Sequence, residues 1–444
     1  MYNLCIFLKG GDRMKINTAS VSDSIQLTSV QTDKFKAGVL TFHLFSPVNA
    51  SNVAHATVLC GVLKQGNEAF PSLAGVYRRL DELYAASLDV RTSFNASELS
   101  ISLSSELLDN AYAPCGTDIL DGVIELCAQT LLHPITNVEA FCETTVAREI
   151  ETVRSALLAE KNNTQTYAVI RAKEMLNRTA ENYPTVKELT AALDTVTPQS
   201  LYAFYKNILS YSPLDVFYVG GCSSEEVTKK LLHHFEGFSP SRSFAPTLSD
   251  PSPALPFEEQ TEQMSVSQSK LVLGFHSGVN IAVGGYHGAL VFNEIFGSSP
   301  VSKLFMNVRE RLGLCYYCSS SYNTFSGALI VSSGIDASKR EEATSAILAQ
   351  LDAIKCGKVS DFELEAAKRS LINAYRQCYD NPFDINNFYS SRIRLGIDES
   401  IEDCIDALSK VTLEQIVEVA ASVVHDTTFF IEGDGISAEE VYDE

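Results

Sequence analysis

The chain is poor in positive charge: 34 Lys and Arg stand against 55 Asp and Glu, a formal net charge of −21 over 444 residues. Binding to nucleic acid or to an anionic membrane surface needs a concentrated basic face, and no stretch supplies one. Long apolar runs are also missing. None approaches the roughly 20 residues that span a bilayer, and the opening segment through Lys9 lacks the basic start and small-residue cleavage site of a secretory signal. The expectation is a cytoplasmic protein with no membrane segment. Tryptophan is absent, yet 45% of the residues are hydrophobic and 20% charged, enough to fill a globular core. Histidines are few and badly spaced. His43, His55, His133, His233, His234, His276, His287 and His425 form neither a His-x-x-x-His nor a His-x-x-Glu-His pattern, so no helix offers a chelating pair. Adjacent residues such as His233 and His234 point in different directions from a helix.

Eleven cysteines are scattered mostly through apolar patterns, and their odd number argues against a disulfide framework. They read as small buried hydrophobes in a reducing compartment. The one motif-like pair is Cys315 and Cys318, a CxxC spacing that suits a redox or metal pair but has no second CxxC or nearby His to complete a tetrahedral set.

A chain of this length exceeds one ordinary core and predicts two domains of roughly 200 residues. A stretch containing Pro240, Pro246, Pro251, Pro253 and Pro256 reads as an extended linker, and its central position suggests a repeat. Matched segments occur on either side. Thr197 and Thr412 precede amphipathic helices that run into strands at Leu214–Gly221 and Thr427–Gly433. The strand pattern Val39–Phe45, followed by Val48 and Asn49, is answered by Leu271–His276, followed by Val279 and Asn280. Phe141 answers Phe362 farther along. Separations between matched positions shrink steadily along the chain, as loop-length differences between two copies require.

The predicted fold class is therefore α+β: two homologous domains, each a mainly antiparallel sheet packed with helices. The expected boundaries are 15–237 for the first domain, 238–267 for the linker and 268–440 for the second. Patterned sequence begins just after Met14, which makes Met14 an alternative start. In Val39–Phe45 both faces are largely apolar, so one side should meet helices and the other a further layer.

One segment carries a more specific signal. The run NEIFGSSPVSKLFMNVRERLGLCY (Asn293–Tyr316) resembles the second domain of the insulinase and pitrilysin family of zinc metallopeptidases, which includes the mitochondrial processing peptidases. The likeness lies in a Gly-containing turn, Ser-x-Leu-Phe, and then Arg-Glu-x-x-Gly-Leu-x-Tyr, with Arg309 and Tyr316 at the family's spacing. The resemblance extends over essentially residues 15–440. It implies that Arg309 and Tyr316 point at substrate around the scissile bond and stabilise charge on its carbonyl oxygen. A guanidinium and a phenol are suited to that task, because positioned donors act more strongly on an oxyanion than on a neutral carbonyl.

The same resemblance implies an inverted zinc motif, His-x-x-Glu-His, on a first-domain helix, with a further Glu on a later helix. Aligned on the turn at Lys64–Gly66, the motif positions hold Thr57, Val58, Leu59, Cys60 and Gly61. Neither His nor the motif Glu is present, and the nearby His55 reads as a partly buried structural residue. Glu143, Glu149 and Glu151 fall near the third-ligand position and read as solvated or helix-pairing charges. The glycine-rich loop of some non-catalytic members is reduced to Gly297, read as a tight turn before a helix. Asp434, Asp443 and Glu444 read as a solvated acidic tail.

What the resemblance implies is a zinc-less, non-catalytic subunit of a heterodimeric bacterial peptidase. Arg309 and Tyr316 would complete a site on a homologous subunit that carries zinc, around a peptide substrate, with no metal or other cofactor in this chain. The alternative is a structural or regulatory binding protein on a peptidase fold; the resemblance extends to members named for a link to elongation factor P modification. An independent thiol activity at Cys315 and Cys318 is a third reading.

Overall fold

The structure, a computed structural model, describes residues 2–7, 13–95, 98–180, 182–241, 244 and 254–434. Residues 242, 243 and 245–253 of the Pro-rich linker, and the acidic residues Asp443 and Glu444, lie outside the described residues.

Strands of the first half are β1 (Tyr2–Phe7), β2 (Arg13–Ser20), β3 (Ile25–Gln31), β4 (Ala37–Ser46), β5 (Asp89–Phe94), β6 (Leu99–Leu108), the short β7 (Thr136–Asn137) and β8 (Ala140–Phe141), and β9 (Leu214–Gly220). Its helices are α1 (Ala50–Leu63), α2 (Leu73–Glu82), α3 (Ile119–Leu132), α4 (Glu143–Ala159), α5 (Thr164–Leu176), α6 (Val186–Leu193), α7 (Pro198–Tyr211) and α8 (Ser224–His234). In the second half β10 (Glu258–Met264) and β11 (Ser269–His276) precede α9 (Tyr286–Asn293), and β12 (Cys315–Tyr322) and β13 (Ala328–Ile335) follow it. Then come α10 (Arg340–Lys355), α11 (Asp361–Gln377), α12 (Pro382–Ile393), α13 (Ile401–Lys410), α14 (Leu413–Ser422) and β14 (Val424–Gly433).

Local chemistry explains many of these boundaries. Thr197 accepts a hydrogen bond from Ser200 N, and Pro198 occupies the first turn, where its missing N–H costs nothing. Thr412 plays the same part for α14, forming a capping box with Gln415. Each helix then delivers a strand into the middle of a sheet.

The two sheets repeat one topology. The first runs β1-β2-β3-β9-β4-β6-β5 and the second β10-β14-β11-β13-β12. In both, the last strand of the half inserts beside the first strand of the common core in parallel, β9 with β3 and β14 with β10. It pairs antiparallel on its other side, β9 with β4 and β14 with β11. These mainly antiparallel sheets, covered by helices, are the α+β duplication expected from the repeat. The first sheet is longer: β1 and β2 pair antiparallel across Tyr2–Phe7 and Arg13–Ser20, so ordered pairing spans Met14 rather than beginning after it.

The chain forms two compact units that are not contiguous halves. The first comprises 1–157, 181–247 and 378–399; the second comprises 158–180, 248–377 and 400–444. Within the first unit, Leu40, Phe42 and Leu44 of β4 enter the core with α1 and α3. The opposite face of β4, with Val39 and Phe45 fully buried, meets α12, whose Asn386 exchanges hydrogen bonds with Thr41 at 3.2 Å. That helix is the further layer the two-faced apolar strand demanded. Within the second unit, α5 performs the equivalent service. Tyr167, Ala168, Ala172, Met175 and Leu176 pack with Val272, Ile330, Phe429 and Ile431 on its sheet.

Candidate functional site

Asn49 opens α1 by accepting a hydrogen bond from Asn52 N. Nine of the helix's fourteen residues are buried, including His55, Cys60 and Leu63. His55 Nδ1 lies 2.7 Å from Ser51 O, and its Nε2 lies 3.1 Å from Ser200 Oγ, with the ring against Phe204. Nε2 ties α1 to α7, while Nδ1 is engaged within α1.

One turn on, Thr57 Oγ1 donates back to Val53 O at 2.8 Å. The Cys60 thiol is pushed up to about 12 by burial, so it stays protonated. Gly61 faces α4. A Cβ built there would lie 2.4 Å from Glu149 Oε2 and 2.9 Å from its carboxyl carbon. Glu149 is 9% exposed, unlike the exposed Glu143 and Glu151. Its Oε1 accepts from Gln65 Nε2 at 3.3 Å and from Arg148 Nε at 3.1 Å. This corrects the expectation that all three glutamates are solvated or helix-pairing. Glu149 is a buried carboxylate aimed at the position where the second motif His would stand, and it has closed over the space that the missing side chain would occupy. A zinc ion does not fit these residues. Thr57 and Gly61 offer no imidazole, the Cys60 thiol is held neutral, and the single carboxylate is already engaged by an amide and a guanidinium.

The Arg-Tyr segment belongs to the second unit. Arg309 lies in the last turn of a π-helical stretch, Leu304–Arg311, whose Leu304 and Val308 anchor it in the core. The guanidinium carbon stands 4.7 Å from the Phe305 ring centroid, and Nη1 lies 3.6 Å from Glu310 Oε1. Tyr316 lies on β12 at a bulge: Cys315 pairs with Ile335 and Tyr317 with Gly334, which leaves Tyr316 as the extra residue. The bulge turns the ring outward to 60% exposure, where its hydroxyl donates to Asp336 Oδ1 at 3.2 Å. Arg309 and Tyr316 are not hydrogen-bonded to each other. Each holds an exposed carboxylate, an interaction worth about 0–1 kcal/mol, and the Phe305 ring adds about 0.5–1 kcal/mol for Arg309, so both donors can be redirected at modest cost.

Two smaller expectations change. Gly297 lies in a helical stretch, Glu294–Ser298, rather than in a tight turn; a Cβ there would meet Ser320 N at 2.8 Å, so it permits close packing on β12. The His233 and His234 rings do not diverge but pack edge-on with centroids 4.8 Å apart, and His234 Nε2 lies 3.2 Å from Asp121 Oδ1. The sequence could not reveal the buried Glu149. Its only signal was position, shared with two exposed glutamates.

Comparison with known proteins bears on this geometry. Residues 195–371 match a family model described as "Peptidase M16 inactive domain". The chain is 27% identical over 407 residues to the "Probable inactive metalloprotease YmfF" of Bacillus subtilis (strain 168), covering 91% of this chain and 95% of that protein. A conserved protein from Enterococcus faecalis V583 has the same fold, with a TM-score of 0.87 and 27% identity, covering 95% of this chain and 99% of that one. A peptidase M16 inactive domain from Pseudomonas fluorescens superposes with a TM-score of 0.77 at 15% identity, covering 95% and 99%. The duplicated fold is therefore that of the M16 metallopeptidases, the insulinase and pitrilysin type. Within it, residues 195–371 are similar to the inactive domain of that family, and most of the chain is similar to a probable inactive metalloprotease. Among the described residues, no helix is long and apolar enough to cross a membrane.

Proposed function

We propose that this protein is the non-catalytic subunit of a two-chain M16 peptidase. It contributes Arg309 and Tyr316 to a site whose zinc and general base belong to a homologous chain bearing His-x-x-Glu-His. The observation that carries this reading is the contrast between the two segments. The α1 motif positions have lost their ligands and are sealed by Glu149, whereas Arg309 and Tyr316 keep the family spacing and hold only weak, exposed partners. A purely ancestral remnant would have no need to keep two donors half-exposed.

In this reading the partner generates the nucleophile, and this chain supplies two hydrogen-bond donors to the peptide carbonyl as it becomes an oxyanion. Removing such a donor costs roughly tenfold to a thousandfold in turnover. The test is co-purification with a zinc-bearing homologue from the same organism, followed by peptide hydrolysis by each chain alone and by the pair. Arg309→Ala in the pair should lower kcat by roughly tenfold to a thousandfold with zinc content unchanged. Full turnover by that variant pair would overturn the assignment of Arg309; failure of the chains to associate would overturn the subunit reading itself.

A further inference from the structure

Residues three apart on a regular strand point to opposite faces of the sheet. The bulge at Tyr316 inserts one residue into β12 and so brings Cys315 and Cys318 to the same face. Burial agrees with this geometry. Cys318 is 4% exposed within the core of the second unit, and the partly buried Cys315 packs against that same core. Ser333, the pairing partner of Cys318 on β13, donates its hydroxyl to Tyr317 O between the two cysteines at 3.0 Å, and the thiols lie close enough to shift each other's ionisation. Two cations stand near Cys315: Arg309, beside Glu310, and Lys339, which lies 3.6 Å from Asp336 and donates to Gly313 O at 3.2 Å.

These contacts divide the labour between the thiols. The hydrogen bond from Cys318 holds Cys315 down to about 7, against a desolvation effect that acts the other way. Cys318, as donor and as the more buried group, is raised well above the ordinary thiol range. Burial alone pushes Cys127 up to about 12, the common fate of a core cysteine. Cys315 departs from that pattern because it has a neighbouring thiol to donate to it.

We propose that Cys315 and Cys318 form a peroxide-responsive dithiol, a covalent modification site in which Cys315 is the attacking sulfur and Cys318 the resolving one. The Cys315 thiolate attacks a hydroperoxide, the O–O bond breaks, and the departing oxygen leaves as water or an alcohol after taking a proton. Cys315 is then a sulfenic acid. The Cys318 thiol loses its proton and attacks that sulfur; the S–O bond breaks, the disulfide forms and a second water leaves. Two thiols are oxidised by two electrons and one peroxide is reduced. A disulfide keeps its Cα atoms about 4.4–6.8 Å apart, less than three strand steps of about 3.3 Å each. Closure therefore shortens β12 at its bulge, where Tyr316 sits.

Peptide mapping reads this directly. Cleavage after Arg311 and Lys339 gives a peptide, 312–339, that holds Cys315 and Cys318 and no other cysteine. The reduced full-length protein is treated with equimolar hydrogen peroxide at neutral pH, alkylated and digested. The expected peptide carries no alkyl groups, has lost two hydrogens, and regains both alkylation sites after dithiothreitol. Cys318→Ser should instead accumulate a dimedone-reactive sulfenic acid at Cys315, and Cys315→Ser should leave Cys318 unoxidised. Recovery of the doubly alkylated peptide from the peroxide-treated natural protein would overturn the proposal. So would oxygen addition at Cys315 without disulfide formation.

Discussion

Gly61 on α1 and Glu149 on α4 make the tightest contact of the candidate site at the scale of single residues. In an ordinary exposed helix, Gly→Ala stabilises by roughly 0.5–1 kcal/mol because alanine loses less entropy on folding. Here the added methyl would meet the Glu149 carboxylate at 2.4 Å, and pushing that buried group aside breaks its bonds to Gln65 and Arg148. Overpacking costs of roughly 1–3 kcal/mol exceed the helix gain. Gly61→Ala is therefore expected to lower the urea midpoint in the natural protein and to raise it in a Glu149→Ala background. The same sign in both backgrounds would show that the carboxylate does not close the site. A second residue ties stability to pH. His43 Nε2 is buried without a partner, and burial first, then the charge of Arg394, hold the imidazole down to about 3 from an ordinary 6.5. Asp215, its pairing partner on β9, and Glu98, which pairs with Arg394, are the acidic groups nearby. Above pH 6.5 the ring is neutral whether folded or unfolded and adds no pH dependence. Between about 6.5 and 3 the unfolded chain holds a proton that the folded chain refuses, so stability falls with acidification by about 1.4 kcal/mol per pH unit. Unfolding free energies of His43→Gln and the natural protein, measured from pH 7 to pH 4, should differ by that slope; parallel curves would refute it.

Elements were legible in the sequence where local chemistry specifies them. The Thr197 and Thr412 caps, the strands that follow, and the pairing of Val39–Phe45 with Leu271–His276 were all readable, because caps and alternation are short-range signals. The matching sheet orders bear out the repeat. Features set by distant parts of the chain were not legible. Nothing in the Thr164–Leu176 pattern says that its apolar face belongs on β11 and β14, since amphipathicity names a buried face without naming its partner. The bulge at Tyr316 escaped notice for a similar reason: a single inserted residue leaves composition unchanged while reversing which side chains share a face. The candidate site divides along the same line. That positions 57 and 61 carry no imidazole followed from residue identity alone, whereas the closure of Glu149 over Gly61 required the packing of α4 on α1.

At the scale of the whole molecule, the composition of the compact units decides how the chain can be divided. The first unit includes residues 378–399 from the far end of the sequence, and the second includes 158–180 from the first half. A fragment of residues 1–240 therefore lacks α12 and uncovers Val39, Thr41 and Phe45 on β4; a fragment of residues 254–444 lacks α5 and uncovers Val272, Ile330, Phe429 and Ile431. Burial of a large apolar side chain contributes about 1.5–3 kcal/mol, so Val39 and Phe45 in the first fragment forfeit roughly 3–6 kcal/mol, and the four uncovered in the second roughly 6–12 kcal/mol. That is comparable to the whole stability of an ordinary domain, about 5–15 kcal/mol. Each fragment expressed alone should bind a hydrophobic dye, aggregate and show no cooperative thermal transition. Co-expression should recover a soluble one-to-one complex, because each fragment then supplies the helix the other sheet requires. A cooperative transition in either fragment alone would show that its sheet face tolerates exposure. Cleavage between residues 241 and 254 should likewise leave the intact protein assembled, since β10 and the helices that cover both sheets lie outside that stretch.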